Sequence, residues 1–177
     1  MNFATSIVLI GMMGAGKSSV GRCLQRQTGL SGFDTDEMTA SKLGLSIAEI
    51  FSKFGEEKFR EIETQALREL DPAKAVIIGT GGGIVLRDEN LDLLERLGTV
   101  VWLEAHEQTL FERASHRGNR PLLQTENPCA TFAELLRTRT PLYAKVADIR
   151  IDTSSLNQDD VAEMILNKIG NLISTKK

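Results

Sequence analysis

Disulfide staples, membrane spans and a basic surface are all missing from this chain. Of its 177 residues only two are cysteine, Cys23 and Cys129, too far apart in sequence to suggest a bridge or a pair of metal ligands, which points to a reducing compartment. Prolines number only four, and no repeat, low-complexity stretch or Pro/Gly-rich linker divides the sequence, so a single domain over residues 1–177 is expected. The opening MNFATSIVLIG carries no basic leader region, its apolar run stops at Gly11, and no later stretch nears the roughly 20 apolar residues of a membrane span. A cytoplasmic protein with no membrane partner follows as the expectation. Positive charge is not in excess: 21 Lys and Arg against 24 Asp and Glu leave a net charge of −3, which argues against a nucleic-acid partner held by broad phosphate neutralisation. The two histidines, His106 and His116, have no metal-ligand spacing and receive no role. Tryptophan and tyrosine occur once each.

What is present is an alternation. Short β-branched apolar runs recur at 6–10, 75–79 (AVIIG), 99–103 (TVVWL) and 147–151 (ADIRI), and a further short strand ends at Asp34. Runs without polar alternation suit strands covered on both faces, as in a parallel sheet. Between them lie helical patterns at 17–28, 34–43, 46–53, 88–97, 107–115, 131–145 and 159–172. A further one lies in GEEKFREIETQALREL, where Phe59, Ile62, Ala66, Leu67 and Leu70 recur at helical steps. Such an order predicts an α/β fold, a doubly wound parallel sheet with right-handed crossovers and ligands at the carboxyl ends of the strands.

Gly11 to Ser18, GMMGAGKS, matches the phosphate-binding pattern G-x-x-x-x-G-K-[ST] between a strand and a helix. Its backbone N–H groups, those of Gly14, Ala15 and Gly16 among them, turn toward phosphate oxygens where a Cβ would intrude, and the helix N-terminus adds a favourable field. Lys17 reaches the β- and γ-phosphates, Ser18 is a Mg²⁺ ligand, and Ser19 follows in the first turn. A chance match in a chain this long has a probability on the order of one per cent, so a tight turn with an exposed lysine is the poorer explanation.

A nucleotide site leaves the kind of protein open. A GTPase would carry an Asn-Lys-x-Asp loop, and Asn167-Lys168-Ile169-Gly170 lacks the aspartate and falls in a helix. A motor ATPase would end a central strand in acidic residues, whereas AVIIG runs into Thr80-Gly81-Gly82-Gly83. Three consecutive glycines let a ligand approach the backbone closely. In GFDTDE, Asp34 and Asp36 lie two apart and would face the same way in extended chain, one serving Mg²⁺ through water and the other a substrate hydroxyl. An acidic helix start would look the same. Arg60 and Glu63 are placed for an i, i+3 ion pair. Arg113, His116, Arg117 and Arg120 form a basic segment with Gly118 and Asn119 that suits a lid closing an arginine onto a transferring phosphate, although a solvated loop has the same composition.

The motifs GMMGAGKSSVGR, FDTDE, SIAEIFSKFGEEKFREIE, GTGGG, RPLL and RTPLYAKVAD, in this order and spacing, resemble the shikimate kinases over essentially the whole chain. The resemblance implies a nucleoside-monophosphate-kinase-like fold of three layers with a five-stranded parallel sheet, helices on both faces, a substrate-binding helical region at about 34–61 and a lid at about 113–125. It implies phosphorylation of the 3-hydroxyl of shikimate by MgATP in aromatic amino-acid biosynthesis. Lys17, Asp36 and Arg120 are then the catalytic residues; Asp36, Arg60, Gly81, Gly82 and Arg139 hold shikimate, with the two arginines on its carboxylate. Gly14 to Ser19, Arg113 and Arg120 contact ATP, and Ser18 with Asp34, the latter through water, serves Mg²⁺. A monomer is expected. Two other readings stay in view: a kinase for another hydroxylated acid such as gluconate, and a regulatory module that binds ATP without transferring it.

Overall fold

The computed structural model describes residues 5–116 and 121–175. Five strands, β1 (Ser6–Ile10), β2 (Gly32–Asp34), β3 (Ile77–Gly79), β4 (Gly98–Glu104) and β5 (Ile149–Asp152), form one sheet in the order β2-β3-β1-β4-β5 with every pair parallel. Among the described residues seven α-helices connect and cover them: α1 (Lys17–Thr28), α2 (Thr35–Leu43), α3 (Ile47–Arg68), α4 (Asp88–Leu97), α5 (Glu107–Ser115), α6 (Pro128–Val146) and α7 (Gln158–Thr175).

The central strand explains the apolar run at the N-terminus. All five residues of β1 are buried, because α1 packs on one face, with α7 against it, while α4 and α6 cover the other. Ile7, Val8, Leu9 and Ile10 therefore never meet water. The edge strand β5 alternates instead, with Ile149 and Ile151 inward and Arg150 and Asp152 outward. Among the described residues no helix is long and apolar enough to cross a membrane.

Expected and observed elements differ mainly at ends. Strand β3 is confined to Ile77–Gly79, and helix α6 begins at Pro128 rather than Thr131 because Asn127 caps it, accepting from the Ala130 N–H at 3.1 Å. The two helical patterns at 46–53 and from Gly55 onward run together as α3, interrupted at Gly55, whose φ of 76° and ψ of 174° are not helical. Ser46 caps this helix through a reciprocal pair with Glu49, at 3.3 Å to its N–H and 2.9 Å back from the Ser46 N–H.

The strand order reverses direction around β1. Helix α1 carries the chain from β1 across to β2, and the link from β3 carries it back across β1 to β4, so a crevice opens where the carboxyl ends of β1 and β3 part.

Candidate active site

Both glycine-rich segments empty into that crevice. Gly11 and Gly14 adopt φ of 137° and 88°, and a Cβ on either would collide with a neighbouring carbonyl, that of Leu103 or Leu110. The loop's glycines are thus demanded first by the backbone of β4 and α5 pressing on it, before any phosphate arrives. Lys17 folds back over the loop, its Nζ donating to the carbonyls of Gly11 at 2.7 Å and Met12 at 3.1 Å.

Asp34 and Asp36 reach the crevice by a different geometry from that of an extended segment. Asp34 ends β2 and caps α2, its Oδ1 accepting from the N–H groups of Asp36 at 2.9 Å and Glu37 at 3.3 Å. Asp36 belongs to the first helical turn. The acidic helix start and the paired carboxylates are therefore one structure, and both side chains line the same cleft.

The triple glycine is the seat of the charged groups. A Cβ on Gly81 would lie 2.5 Å from Asp36 Oδ1 and 2.5 Å from Glu63 Oε1, which puts those two carboxylates within about 5 Å of each other. A Cβ on Gly82 would lie 3.7 Å from an Arg139 nitrogen, and one on Gly83 would collide with the Arg60 guanidinium. Each glycine of the turn thus carries a different side chain of the site against bare backbone. The N–H of Gly81 is spent on Thr35 Oγ1 at 3.0 Å.

Arg60, buried on α3, donates from Nε and Nη2 to Glu56 at 3.2 and 2.8 Å and from Nη1 to Glu63 at 2.9 Å. Burial pushes its pKa down, but the charges and hydrogen bonds of Glu63 and Glu56 outweigh that and hold it above the usual value. In Glu63 it is burial that wins. This residue is wholly buried and its Oε1 lacks a partner among the described residues; desolvation, abetted by Asp36 and opposed by Arg60, raises its pKa to about 7. Arg139 on α6 is 2% exposed, and its Nε has no partner among the described residues. Desolvation pulls its pKa down, and Tyr143 partly offsets this.

Two cavities meet here. A cleft of about 440 Å³ is lined by the residues from Met13 to Val20 together with Asp34, Asp36, Thr80 and Gly82, and extends past Arg113 and His116 to the start of α7. A pocket of about 70 Å³ is lined by Met13, Asp36, Phe51, Phe59, Arg60, Gly81 to Gly83, Pro121, Leu122 and Arg139. Met13, Asp36 and Gly82 belong to both walls. Arg113 is pinned at the far end of the larger cleft, donating to the Thr153 and Ser154 carbonyls at 3.1 and 3.2 Å. Arg117 and Arg120 lie outside the described residues.

Asp36, Arg60, Gly81, Gly82 and Arg139, singled out in the sequence, come together in one pocket. Glu56, whose spacing from Arg60 is i, i+4 and was there to be read, and Tyr143, which shares a helix face with Arg139 at i, i+4, were not singled out. The stretch Leu156–Val161 carries no composition cue that would have placed it in the cleft.

The family model for shikimate kinase matches residues 13–170. A shikimate kinase of Thermodesulfovibrio yellowstonii is 47% identical over 171 residues, 97% of this chain and 98% of that protein. The structure of a shikimate kinase from Acinetobacter baumannii in complex with shikimate superposes with a TM-score of 0.89 at 39% identity, covering 94% of this chain and 93% of that one. A gluconokinase from Sinorhizobium meliloti superposes at 0.69 with 20% identity over 99% and 97% of the two chains, a likeness of fold alone.

Proposed function

The chain belongs to the shikimate kinase family, and from that membership we infer its reaction: ATP-dependent phosphorylation of the 3-hydroxyl of shikimate, in the pathway to the aromatic amino acids. One observation carries the assignment of its residues, namely that the nucleotide cleft and the smaller pocket share Met13, Asp36 and Gly82. A donor phosphate on the glycine loop and an acceptor in the pocket would face each other across Asp36.

The chemistry of each wall fits its half of the reaction. In the pocket, Arg139 and Arg60 present guanidinium groups suited to a carboxylate, and Arg139 is the buried cation still short of a partner at Nε. Asp36 takes the hydroxyl hydrogen bond, and Gly82 offers backbone. The acceptor oxygen attacks the γ-phosphorus, the bond to the β–γ bridging oxygen breaks, and the hydroxyl proton passes to the Asp36 carboxylate. In the cleft, Lys17 exchanges the Gly11 and Met12 carbonyls for phosphate oxygens. Gly14 to Ser19 supply the backbone and hydroxyl groups, Arg113 stands toward the base, and Arg120 is the lid arginine.

Magnesium fits the oxygen donors present. Ser18 and Asp34 both line the cleft, and a Mg²⁺ that keeps several waters and takes the rest of its shell from phosphates needs no larger protein cage. Bound there, the ion neutralises charge building on the transferred phosphoryl group. The reading extends to a single-domain monomer in the cytoplasm, in line with two cysteines that stay unpaired, Cys23 and Cys129. Sedimentation at the 19.5 kDa of one chain tests the monomer.

ADP release with MgATP and shikimate, gluconate or a nucleoside monophosphate offered separately tests the whole. Shikimate-dependent turnover alone is expected. Turnover on gluconate alone, or ATP binding with no turnover on any acceptor, would overturn it.

A further inference from the structure

Tyr143 is the chain's only tyrosine, it is fully buried, and none of the roles given above uses it. It stands on α6 one turn beyond Arg139, with Pro141 between them, and its ring lies 5.8 Å from that of Trp102 on β4. A residue needed only to fill the space between α6 and the sheet would lose nothing as phenylalanine, since a buried hydroxyl costs free energy unless it is paired. Here the hydroxyl is paired: it donates to the Gly82 carbonyl. The Arg139 guanidinium lies against the same glycine, a nitrogen 3.7 Å from the point where a Cβ on Gly82 would stand, and its charge opposes the rise in the tyrosine pKa. One oxygen thereby holds the middle glycine of the turn beside the buried arginine, and while it donates to the carbonyl it keeps acceptor sites turned to that cation. Burial, opposed by Arg139, raises its pKa to about 12, so the proton that holds Gly82 is retained throughout the neutral range.

We propose that Tyr143 is a positioning residue for the acceptor pocket: its hydroxyl sets the Gly82 backbone and the Arg139 guanidinium at the spacing at which a single small carboxylic acid meets both. The inference rests on reading Arg139 and Gly82 as acceptor-binding groups. Without the hydroxyl, α6 and the turn after β3 retain their packing, but the guanidinium loses a polar neighbour and swings. The Gly82 peptide, its carbonyl left unpaired, tilts.

Steady-state kinetics of Tyr143→Phe, Arg139→Ala and the double variant, with thermal melts of each, test this. Tyr143→Phe is expected to raise KM for shikimate about tenfold while KM for ATP and kcat stay within about twofold, the scale of one lost buried hydrogen bond. Added to Arg139→Ala, the same change should raise KM much less than it does alone, because the two act through one contact. A Tyr143→Phe protein that melts lower or fails to fold, with KM for shikimate unchanged where it can be measured, would make the hydroxyl a structural element and overturn the proposal. So would fully additive effects. If Arg139→Ala itself keeps the parent KM, it is the assignment of the acceptor pocket that falls.

Discussion

Asp36 and Glu63 meet on Gly81, with Arg60 bound to Glu63 and seated on Gly83, and their protonation states are not independent. With Glu63 raised to about 7 by burial and by Asp36, the folded chain holds a proton there that the unfolded chain gives up near the ordinary 4.5. Below both values the two states bind the proton alike. As pH rises from about 4.5 to about 7 the folded state alone retains it, so this group withdraws stability across that window and no further above it. The melting temperature of the parent should therefore fall relative to Glu63→Gln between about pH 4.5 and pH 7, and parallel profiles would refute the shift. Asp36→Asn, which keeps size but cannot accept a proton, should lower kcat by about 10²- to 10⁴-fold with ATP still bound, measured by single-turnover phosphoryl transfer and nucleotide titration. None of these roles follows from charge type alone. Asp36 was legible because FDTDE is a dense local signal, whereas the burial of Glu63 depends on Gly81, which lies eighteen residues further on.

At the scale of elements, the turn after β3 behaves as a socket of backbone into which α2 and α6 each plug one charged side chain and α3 plugs two. Gly83→Ala should displace Arg60, because the added methyl falls on its guanidinium, and raise KM for shikimate at least about tenfold while leaving KM for ATP near the parent value. Gly14→Ala should do the reverse, since its strain and its collision with the Leu110 carbonyl fall on the nucleotide loop. The sequence made the existence of these glycines conspicuous and suggested that a ligand needed the room. The occupants turned out to be the protein's own side chains, a long-range fact invisible to local pattern. The expected ends of α1, α4 and α5 match the structure although no side chain caps their starts, whereas α6 begins three residues before the expected Thr131, at the start that Asn127-Pro128 spells out.

For the molecule as a whole, the glycine-loop cleft and the arginine-lined pocket meet at Met13, Asp36 and Gly82 but are otherwise lined by different residues, so on the roles proposed above the two substrates should stabilise the fold through separable contacts. MgATP should raise the melting temperature of Arg139→Ala as it does that of the parent, and shikimate should raise only the parent's; loss of both responses would mean a collapsed site. The alternation of strands and helices made this architecture legible from composition and period, and the family motifs supplied the roles. Neither reveals where the single tryptophan sits. Trp102 lies on β4 with its indole 3.4 Å from the point where a side chain on Gly11 would begin and 5.8 Å from Tyr143, under the Arg150 guanidinium at 4.4 Å. The protein therefore carries one ultraviolet emitter with one neighbouring tyrosine to feed it, stationed beside the first glycine of the loop and the tyrosine that holds Gly82. Filling either side should shift its emission, and the two shifts give a label-free optical record of the order in which the substrates arrive.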